Sequence, residues 1–298
     1  MSNKELIDPV DRFLGAHETV SETIRSCYAD FLMGNDDYSE FSRFSVKRAL
    51  GSNLLTLAFR EYCELYLGFE AESYEDIITK VKPNTCASII ASFFASRKAI
   101  KTIDEPLRQK FGKVVSVTSA ISEILGYYIP ELGLFFGTLY GSLVPSSMAV
   151  LYLKSPDQFG GYFQRIQKEK CLSLPEVETA LFGVTSAAIT AELVHKLGFG
   201  RRLSEAFLLG LLSHDSGSKE SERIANFHFW VQLFLKEDPA KYITKENFLL
   251  DDEAIDAMLE KIKKIKENPE NPWFLAEMKN QPFKFSSEEA LDEMLNLD

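Results

Sequence analysis

Several features that mark common protein classes are missing from this chain of 298 residues. Its four cysteines are far apart and form no Cys-x-x-Cys pair, so the sequence indicates neither a disulfide framework nor a cysteine metal site. It also lacks the Gly-x-x-x-x-Gly-Lys-Ser/Thr phosphate loop and the Gly-x-Ser-x-Gly nucleophile turn. The sequence therefore gives no support to a P-loop nucleotide hydrolase or to an α/β-hydrolase with this nucleophile turn. For the cysteines we expect reduced thiols in the core of a cytoplasmic protein.

Long apolar runs are missing as well. The first residues, Met-Ser-Asn-Lys-Glu-Leu, contain no apolar core of the kind found in a signal peptide. The apolar stretch at 129–140 is interrupted by Pro130, Glu131 and glycines, and no run reaches the ~18 consecutive apolar residues of a membrane span. The sequence therefore predicts a cytoplasmic protein that needs no membrane span, with a peripheral membrane contact left open.

The chain has a shortage of positive charge, with 33 Lys and Arg against 44 Asp and Glu, a net charge of −11. A diffuse acidic surface repels phosphate backbones, so we expect no nucleic-acid partner. Hydrophobic residues make up 45% of the chain and include 23 Phe and 11 Tyr. This content predicts a folded protein with a large core.

What the chain does have is helical periodicity. From Phe41 to Tyr66 apolar residues, Phe44 among them, recur mostly at three- and four-residue steps, and Gly51 interrupts the run, which predicts two helices. Ser73, followed by two acidic residues, predicts another helix start. No Asn-Gly or Asp-Gly turn joins alternating strands. The pattern predicts an all-α protein.

Prolines and glycines indicate the helix boundaries. Pro83 marks the end of one helix or the start of the next, and Pro145 and Pro156 punctuate a second helical block that begins near Leu134. The segment 175–197 predicts one long helix, with a proline in its first turn and a glycine after its end. Further predicted helices cover residues 87–101, 111–128, 203–212, 224–235 and 252–266.

Metal-binding residues are scarce, because the chain has only four histidines, His17, His195, His214 and His228. His214-Asp215 is the only His-Asp pair, the kind of pair that binds a divalent ion in HD-type phosphohydrolases. Such a site needs a further histidine about one long helix earlier, near Ser186, and none is there. A cationic His214 at a helix C-terminus is the simpler interpretation. His228, among aromatic residues, is expected in the core or at its boundary rather than as a ligand.

Two arginines, Arg201 and Arg202, follow the glycine turn Gly198-Phe199-Gly200. A loop of this kind can bind a phosphate through its guanidinium groups. It is more often a solvated turn between helices, which is the interpretation that short glycine turns favour.

Four segments carry a family resemblance: SEFSRFSVKRALGSNLLTLAFREYCELYLGF, SYEDIITKVKPNTCASIIASFF, GTLYGSLVPSSMAVLY and SLPEVETALFGVTSAAITAELVHKLGFGRRLSEAFLLGLLSH. In order and hydrophobic pattern they resemble the HD-related output domain, HDOD, a bacterial signalling domain related to the HD phosphohydrolases. The resemblance covers residues 35–237. It implies a multi-helix bundle of the degenerate HD type.

The departures from the family pattern concern the metal ligands. Tyr140 and Gly141 stand where the His-Asp pair is expected, Ser186 stands where the next histidine is expected, and Ser213-His214 replaces the closing histidine pair. The resemblance therefore implies a vestigial site without a metal or other cofactor. We expect Tyr140, Ser186 and His214 to lie near one another if the alignment is right.

The resemblance implies a non-catalytic regulatory protein in signal transduction that binds an unidentified protein partner, for instance in a second-messenger or motility pathway. Fold similarity alone does not establish such a role. Two alternatives stay open. One is a metal-dependent phosphohydrolase that uses His214 and Asp215, and the other is a nucleotide sensor without turnover that uses Arg201 and Arg202.

The sequence predicts three regions: an N-terminal helical extension at 1–34, an HDOD-like domain at 35–237 in two parts, 35–130 and 131–237, and an acidic helical tail at 238–298. Residues 236–298 hold nine Lys and sixteen Asp or Glu, and so contribute −7 of the total −11. The tail also contains large apolar residues, namely Trp273, Phe274, Leu275, Phe283, Phe285, Leu291, Met294 and Leu295. A solvated tail has no use for so many of them, so we expect them to dock, on the chain's own domain in preference to a partner.

Overall fold

The structure of the chain, a computed structural model, describes residues 3–212, 218–236, 241–242, 250–267 and 272–275. Its regular elements in these ranges are helical, so the predicted all-α fold is confirmed. The helices are α1 (Asn3–Leu14), α2 (Glu18–Leu32), α3 (Glu40–Ala49), α4 (Asn53–Tyr62), α5 (Tyr74–Lys80), α6 (Pro83–Thr102), α7 (Leu107–Tyr128), α8 (Leu134–Lys154), α9 (Pro156–Glu169), α10 (Pro175–Phe182), α11 (Ser186–Val194), α12 (Gly200–Leu211), α13 (Lys219–Lys236) and α14 (Asp252–Glu267). Helix α4 continues into a π-helical turn, Cys63–Leu67, and α11 into another, His195–Phe199.

Several helix boundaries lie where local chemistry predicted them. Gly51 falls between α3 and α4. Ser73 begins α5 through a capping box, in which its hydroxyl accepts the Asp76 N–H at 3.1 Å and the Asp76 carboxylate accepts the Ser73 N–H at 3.0 Å. Pro83 and Pro156 occupy the first turns of α6 and α9, where a missing N–H costs no hydrogen bond.

The prediction of one long helix over residues 175–197 is wrong. Helix α10 ends at Phe182 because Gly183 adopts a left-handed conformation with φ of 66°. The chain starts again at α11, where the Thr185 hydroxyl accepts the Ala188 N–H at 3.2 Å. The helical direction changes by 85° across this break. Gly183 and Thr185 supply a stop signal and a cap inside a continuous apolar pattern.

Pro145 was also misassigned, since it lies inside α8 instead of punctuating it. A proline has no N–H, so the carbonyl of Gly141, four residues earlier, loses its helical hydrogen bond. The hydroxyl of Ser119 in α7 donates to that carbonyl at 2.9 Å. A hydrogen bond from the neighbouring helix thus replaces the missing one and allows α8 to continue.

Helix α8 lies at the centre of the fold and packs against α6, α7 and α11. Its crossing with α7 is close because Gly137 and Gly141 face that helix. A Cβ atom on Gly137 would lie 2.4 Å from the Ser122 carbonyl oxygen, and one on Gly141 would lie 2.7 Å from the Ser119 Cα. Small residues therefore set the spacing of the two central helices.

Helix α8 is long and apolar enough to cross a membrane by those two criteria alone, and 94% of its apolar window is buried inside the fold. A second case among the described residues is the bent pair formed by α10 and Ser186–Leu211. Core helices of globular proteins pass the same criteria, so the expectation that the chain needs no membrane span stays a prediction.

The first two helices belong to the common core. Val10, Phe13 and Leu14 of α1 and Ile24 and Cys27 of α2 are fully buried in the same hydrophobic cluster as the later helices. The predicted boundary at residue 34 stays a prediction, although side chains from both sides of it pack together. All four cysteines are buried and free.

Candidate functional site

Helix α3 carries an unusual surface, because two of its phenylalanines are exposed while two of its serines are buried. Phe41 and Phe44 are 57% and 66% exposed, whereas Ser42 and Ser45 are buried. The periodicity that predicts a helix here includes Phe44, but it does not indicate which side of the helix is buried. This arrangement is possible because Val46 and Ala49 supply the buried apolar contacts of this short helix.

The start of α3 is fixed by a buried carboxylate. Asp30 of α2, which is 1% exposed, accepts the Ser39 N–H at 2.9 Å and the Ser39 hydroxyl at 3.1 Å. The Ser39 hydroxyl in turn accepts the Ser42 N–H, which caps α3. These contacts hold the rotation of α3 about its axis, so the outward position of the two phenylalanines is built into the fold.

The exposed side of α3 is locally basic. Arg43, Lys47 and Arg48 accompany a single acidic residue, Glu40, in a chain whose net charge is −11. Arg43 donates to the Tyr38 carbonyl at 3.2 Å, and the Lys47 ammonium lies 5.9 Å from the centre of the Tyr74 ring. We call the surface formed by Phe41, Phe44, Arg43 and Lys47 the α3 face.

Tyr140, which the HDOD resemblance aligns with a metal ligand, forms part of the core. It is fully buried, its ring stacks on Phe227, and its hydroxyl oxygen lies 2.9 Å from Nδ1 of His228 in α13. Burial lowers the pKa of His228 to about 4, so the imidazole is neutral at pH 7. A neutral phenol and a neutral imidazole thus satisfy each other, and partly buried His228 agrees with the expectation that it lies in the core or at its boundary.

Ser186 belongs to a different polar cluster, centred on buried Glu178. The Glu178 carboxylate accepts the Ser186 N–H at 2.6 Å, the Ser186 hydroxyl at 3.1 Å and the Leu174 N–H at 3.0 Å, and Tyr162 donates to it as well. The carboxylate thereby caps the starts of both α10 and α11. Tyr140 and Ser186 therefore have separate hydrogen-bonding partners on different helices.

The remaining residues of the expected metal site, Ser213, His214 and Asp215, lie outside the described residues, so the clustering of Tyr140, Ser186 and His214 stays a prediction. Gly141 lies at the crossing of α7 and α8. Within the described ranges no group of three or more His, Cys, Asp or Glu residues is placed to hold a metal ion.

The two arginines proposed as an anion site are both paired with carboxylates of the chain. Arg201 contacts Glu205 at 2.7 Å, and Arg202 contacts Glu220 at 2.6 Å. Both guanidinium groups are mostly exposed, so these pairs are weak individually. A phosphate would nevertheless have to compete with a carboxylate already present at each arginine.

Part of the apolar tail is buried against the helical core. Trp273, Phe274 and Leu275 form a short 3₁₀ turn and are at most 1% exposed. Arg97 of α6 donates to the Phe274 carbonyl at 3.4 Å. Phe283, Phe285, Leu291, Met294 and Leu295 lie outside the described residues.

Trp273 also reaches a buried acid that the sequence analysis did not single out. Its indole N–H donates to one oxygen of Glu123 in α7 at 2.8 Å, and the Tyr66 hydroxyl donates to the other oxygen at 2.8 Å. Burial raises the pKa of Glu123 to about 7, although both hydrogen bonds oppose that shift. A cavity of about 220 Å³ adjoins this carboxyl, and we call it the Glu123 cavity.

Comparison of the chain with protein-family models, with curated proteins and with solved structures gives no match.

Two features escaped sequence reasoning for different reasons. The periodicity around Phe44 fits a buried stripe, and only the packing of α3 on α2 reveals which face is buried. The sequence does indicate a buried carboxyl at Glu123, because this single acid interrupts the apolar stretch Ile121-Ser122-Glu123-Ile124-Leu125. Its partner Trp273 lies 150 residues further along the chain, which local patterns cannot reveal.

Proposed function

We propose that this chain is a non-catalytic regulatory protein in cytoplasmic signal transduction, and that it binds a protein partner through the α3 face. The observation that carries the proposal is the arrangement of α3, which exposes Phe41 and Phe44 and buries Ser42 and Ser45. Exposed large apolar groups that are held in place by the fold are typical of interaction surfaces.

The chemistry of the α3 face favours one kind of partner. Burying a phenylalanine side chain contributes about 1.5–3 kcal/mol, so two of them can supply the centre of a small interface. Arg43 and Lys47 flank them and favour acidic residues at the rim of the partner's surface. The partner we propose is therefore a protein segment with apolar residues flanked by Asp or Glu.

The absence of catalysis is a second part of the proposal. It is supported by the contacts of Tyr140 and Ser186, which occupy positions where the HDOD resemblance expects metal ligands. Both side chains are engaged in structural hydrogen bonds with His228 and Glu178. A neutral phenol and a serine are poor ligands for a divalent cation.

The binding role is tested by capturing partners from the native cell with the tagged full-length chain. The double variant Phe41→Ser/Phe44→Ser should lose the captured partner, while the control Phe229→Ser, which alters a similarly exposed phenylalanine on α13, should retain it. Both variants change exposed residues, so the free energy of unfolding should stay within about 0.5 kcal/mol per substitution. Equal capture by the wild type and the double variant would contradict the proposal.

The non-catalytic role is tested on the same purified protein. Elemental analysis should find no stoichiometric transition metal, and phosphoesters incubated with Mn²⁺ or Mg²⁺ should not be hydrolysed. Turnover that is lost in the variants His214→Ala and Asp215→Ala would establish the phosphohydrolase alternative instead.

A further inference from the structure

The Glu123 cavity lies between α7, α14 and the turn that contains Trp273. Its walls are mostly apolar and include Leu65, Ile124 and Ile265, with the rings of Tyr66 and Trp273 on one side. Glu123 lies at its buried end, and Lys261 and Lys264 of α14 lie at its solvent side. The cavity thus has an apolar interior and a cationic entrance.

The volume limits what can bind. A cavity of about 150 Å³ lined by apolar side chains holds a benzene molecule. The Glu123 cavity measures about 220 Å³, so it has room for one phenyl ring and a short chain. It is smaller than the sites of drug-sized ligands, which begin at about 300 Å³.

The buried carboxyl does not attract a cationic ligand into the cavity. Both oxygens of Glu123 already accept hydrogen bonds, from Trp273 and from Tyr66. Burial also raises its pKa to about 7, so much of it is uncharged at neutral pH. The charge that a ligand meets first is therefore that of the lysines.

The entrance lysines favour an anion. Lys261 lies over the rings of Tyr127 and Tyr128, at 5.6 and 5.3 Å from their centres, and no carboxylate in the described part of the chain forms an ion pair with it. Lys264 pairs with Glu260 at 2.8 Å, but both side chains are largely exposed. Such an exposed pair is weak, and Lys264 adds a second positive charge at the entrance beside Lys261.

We propose that the Glu123 cavity binds a small monocarboxylate with an apolar, preferably aromatic, body. The ring packs between Trp273 and the aliphatic wall, and the carboxylate remains at the entrance beside Lys261 and Lys264. This inference is independent of the α3 face. It also gives the ligand an effect on the protein, because Trp273 holds the end of the described chain against α7, and a ligand that contacts its ring stabilises that arrangement.

The test compares two probes of the same shape and opposite charge, 3-phenylpropanoate and 3-phenylpropylamine. The chain has two tryptophans, so the full-length variant Trp230→Phe makes Trp273 the sole fluorescent indole. We expect the carboxylate to change the Trp273 emission with a Kd of about 1 mM or tighter, and the amine to bind at least ~10-fold more weakly. Equal binding of the two probes, or no binding of the carboxylate at 10 mM, would overturn the proposal.

Matched variants locate the site. Lys261→Met should weaken binding of the carboxylate about 5- to 10-fold, whereas Lys263→Met, which removes an exposed lysine that pairs with Glu267, should leave it unchanged. Ala120→Leu, on the cavity wall, should abolish binding by filling the space. The melting temperature of each free variant shows whether it is folded. A folded Ala120→Leu protein that binds as well as the wild type would place the ligand elsewhere and refute the assignment.

Discussion

At the scale of single residues, the pKa of Glu123 differs enough between the folded and unfolded states to be tested by the pH dependence of stability. The folded state holds its proton up to a pKa of about 7, whereas the unfolded chain releases it near pH 4.5. Between these values the folded state binds more protons than the unfolded state. The contribution of Glu123 to stability therefore falls as pH rises from about 4.5 to 7, and is constant above that.

Glu123→Gln tests this directly, because an amide keeps an acceptor for the Trp273 N–H and a donor for the Tyr66 oxygen. We expect the variant to gain stability relative to the wild type as pH rises through 4.5–7, by up to about 3 kcal/mol. Urea denaturation at a series of pH values measures the difference. A difference that is the same at pH 4.5 and pH 8 would show that Glu123 ionises normally.

Tyr140 offers a second test at this scale. Tyr140→Phe keeps the stacking on Phe227 but removes the hydroxyl that bonds to His228. We expect a loss of about 1–2 kcal/mol in the free energy of unfolding at pH 7, since the imidazole Nδ1 is left without its partner. Tyr127→Phe is the control, because Tyr127 is half exposed and should change stability by less than about 0.5 kcal/mol. Equal effects of the two substitutions would argue against a role for the Tyr140 hydroxyl in the core.

Residue-scale prediction from sequence succeeded where the chemistry is local. The aromatic surroundings of His228 predicted a position in the core or at its boundary, and the structure places it, partly buried, against Tyr140. The partners of Glu123 and Glu178 depend on chain segments brought together only by folding, so no local pattern indicated them. For the same reason, the sequence did not indicate that Phe44 points to solvent.

At the scale of elements, the crossing of α7 and α8 depends on the hydrogen bond from Ser119 to the Gly141 carbonyl. Ser119→Ala should cost about 1–3 kcal/mol, because it leaves a buried carbonyl without a donor. Pro145→Ala restores the backbone N–H that the helix lacks. In the Pro145→Ala background the same Ser119→Ala substitution should therefore cost clearly less.

Denaturant unfolding of the four proteins of this double-mutant cycle measures the coupling. If Ser119→Ala lowers the free energy of unfolding equally with and without Pro145, the Ser119 hydroxyl does not replace the missing helical hydrogen bond.

Most helices could be predicted from periodicity and end signals, as the starts of α5 and α9 illustrate. The two errors have different causes. Pro145 is tolerated within α8 because another helix supplies the hydrogen bond, so a tertiary contact overrides the local signal. The break at Gly183 has a local stop signal and a local cap, but the apolar residues on both sides of it form a continuous pattern that hid them.

At the scale of the whole molecule, a strongly acidic protein presents one short basic helix with two exposed phenylalanines. The charge contrast matters because Arg43 and Lys47 attract an acidic partner although the net charge of the chain is −11. Binding through the α3 face should accordingly weaken as ionic strength rises. The HDOD resemblance includes this helix in its first segment but assigns no exposed surface to it, so the α3 face is a finding of the structure.

The dissociation constant of the captured partner, measured with purified variants, shows whether the α3 face is the binding surface. We expect Phe41→Ser/Phe44→Ser to weaken binding at least ~10-fold, corresponding to about 1.4 kcal/mol or more, and Phe229→Ser to leave the dissociation constant unchanged. A double variant that is folded and binds the partner within about twofold of the wild type would show that the partner binds elsewhere.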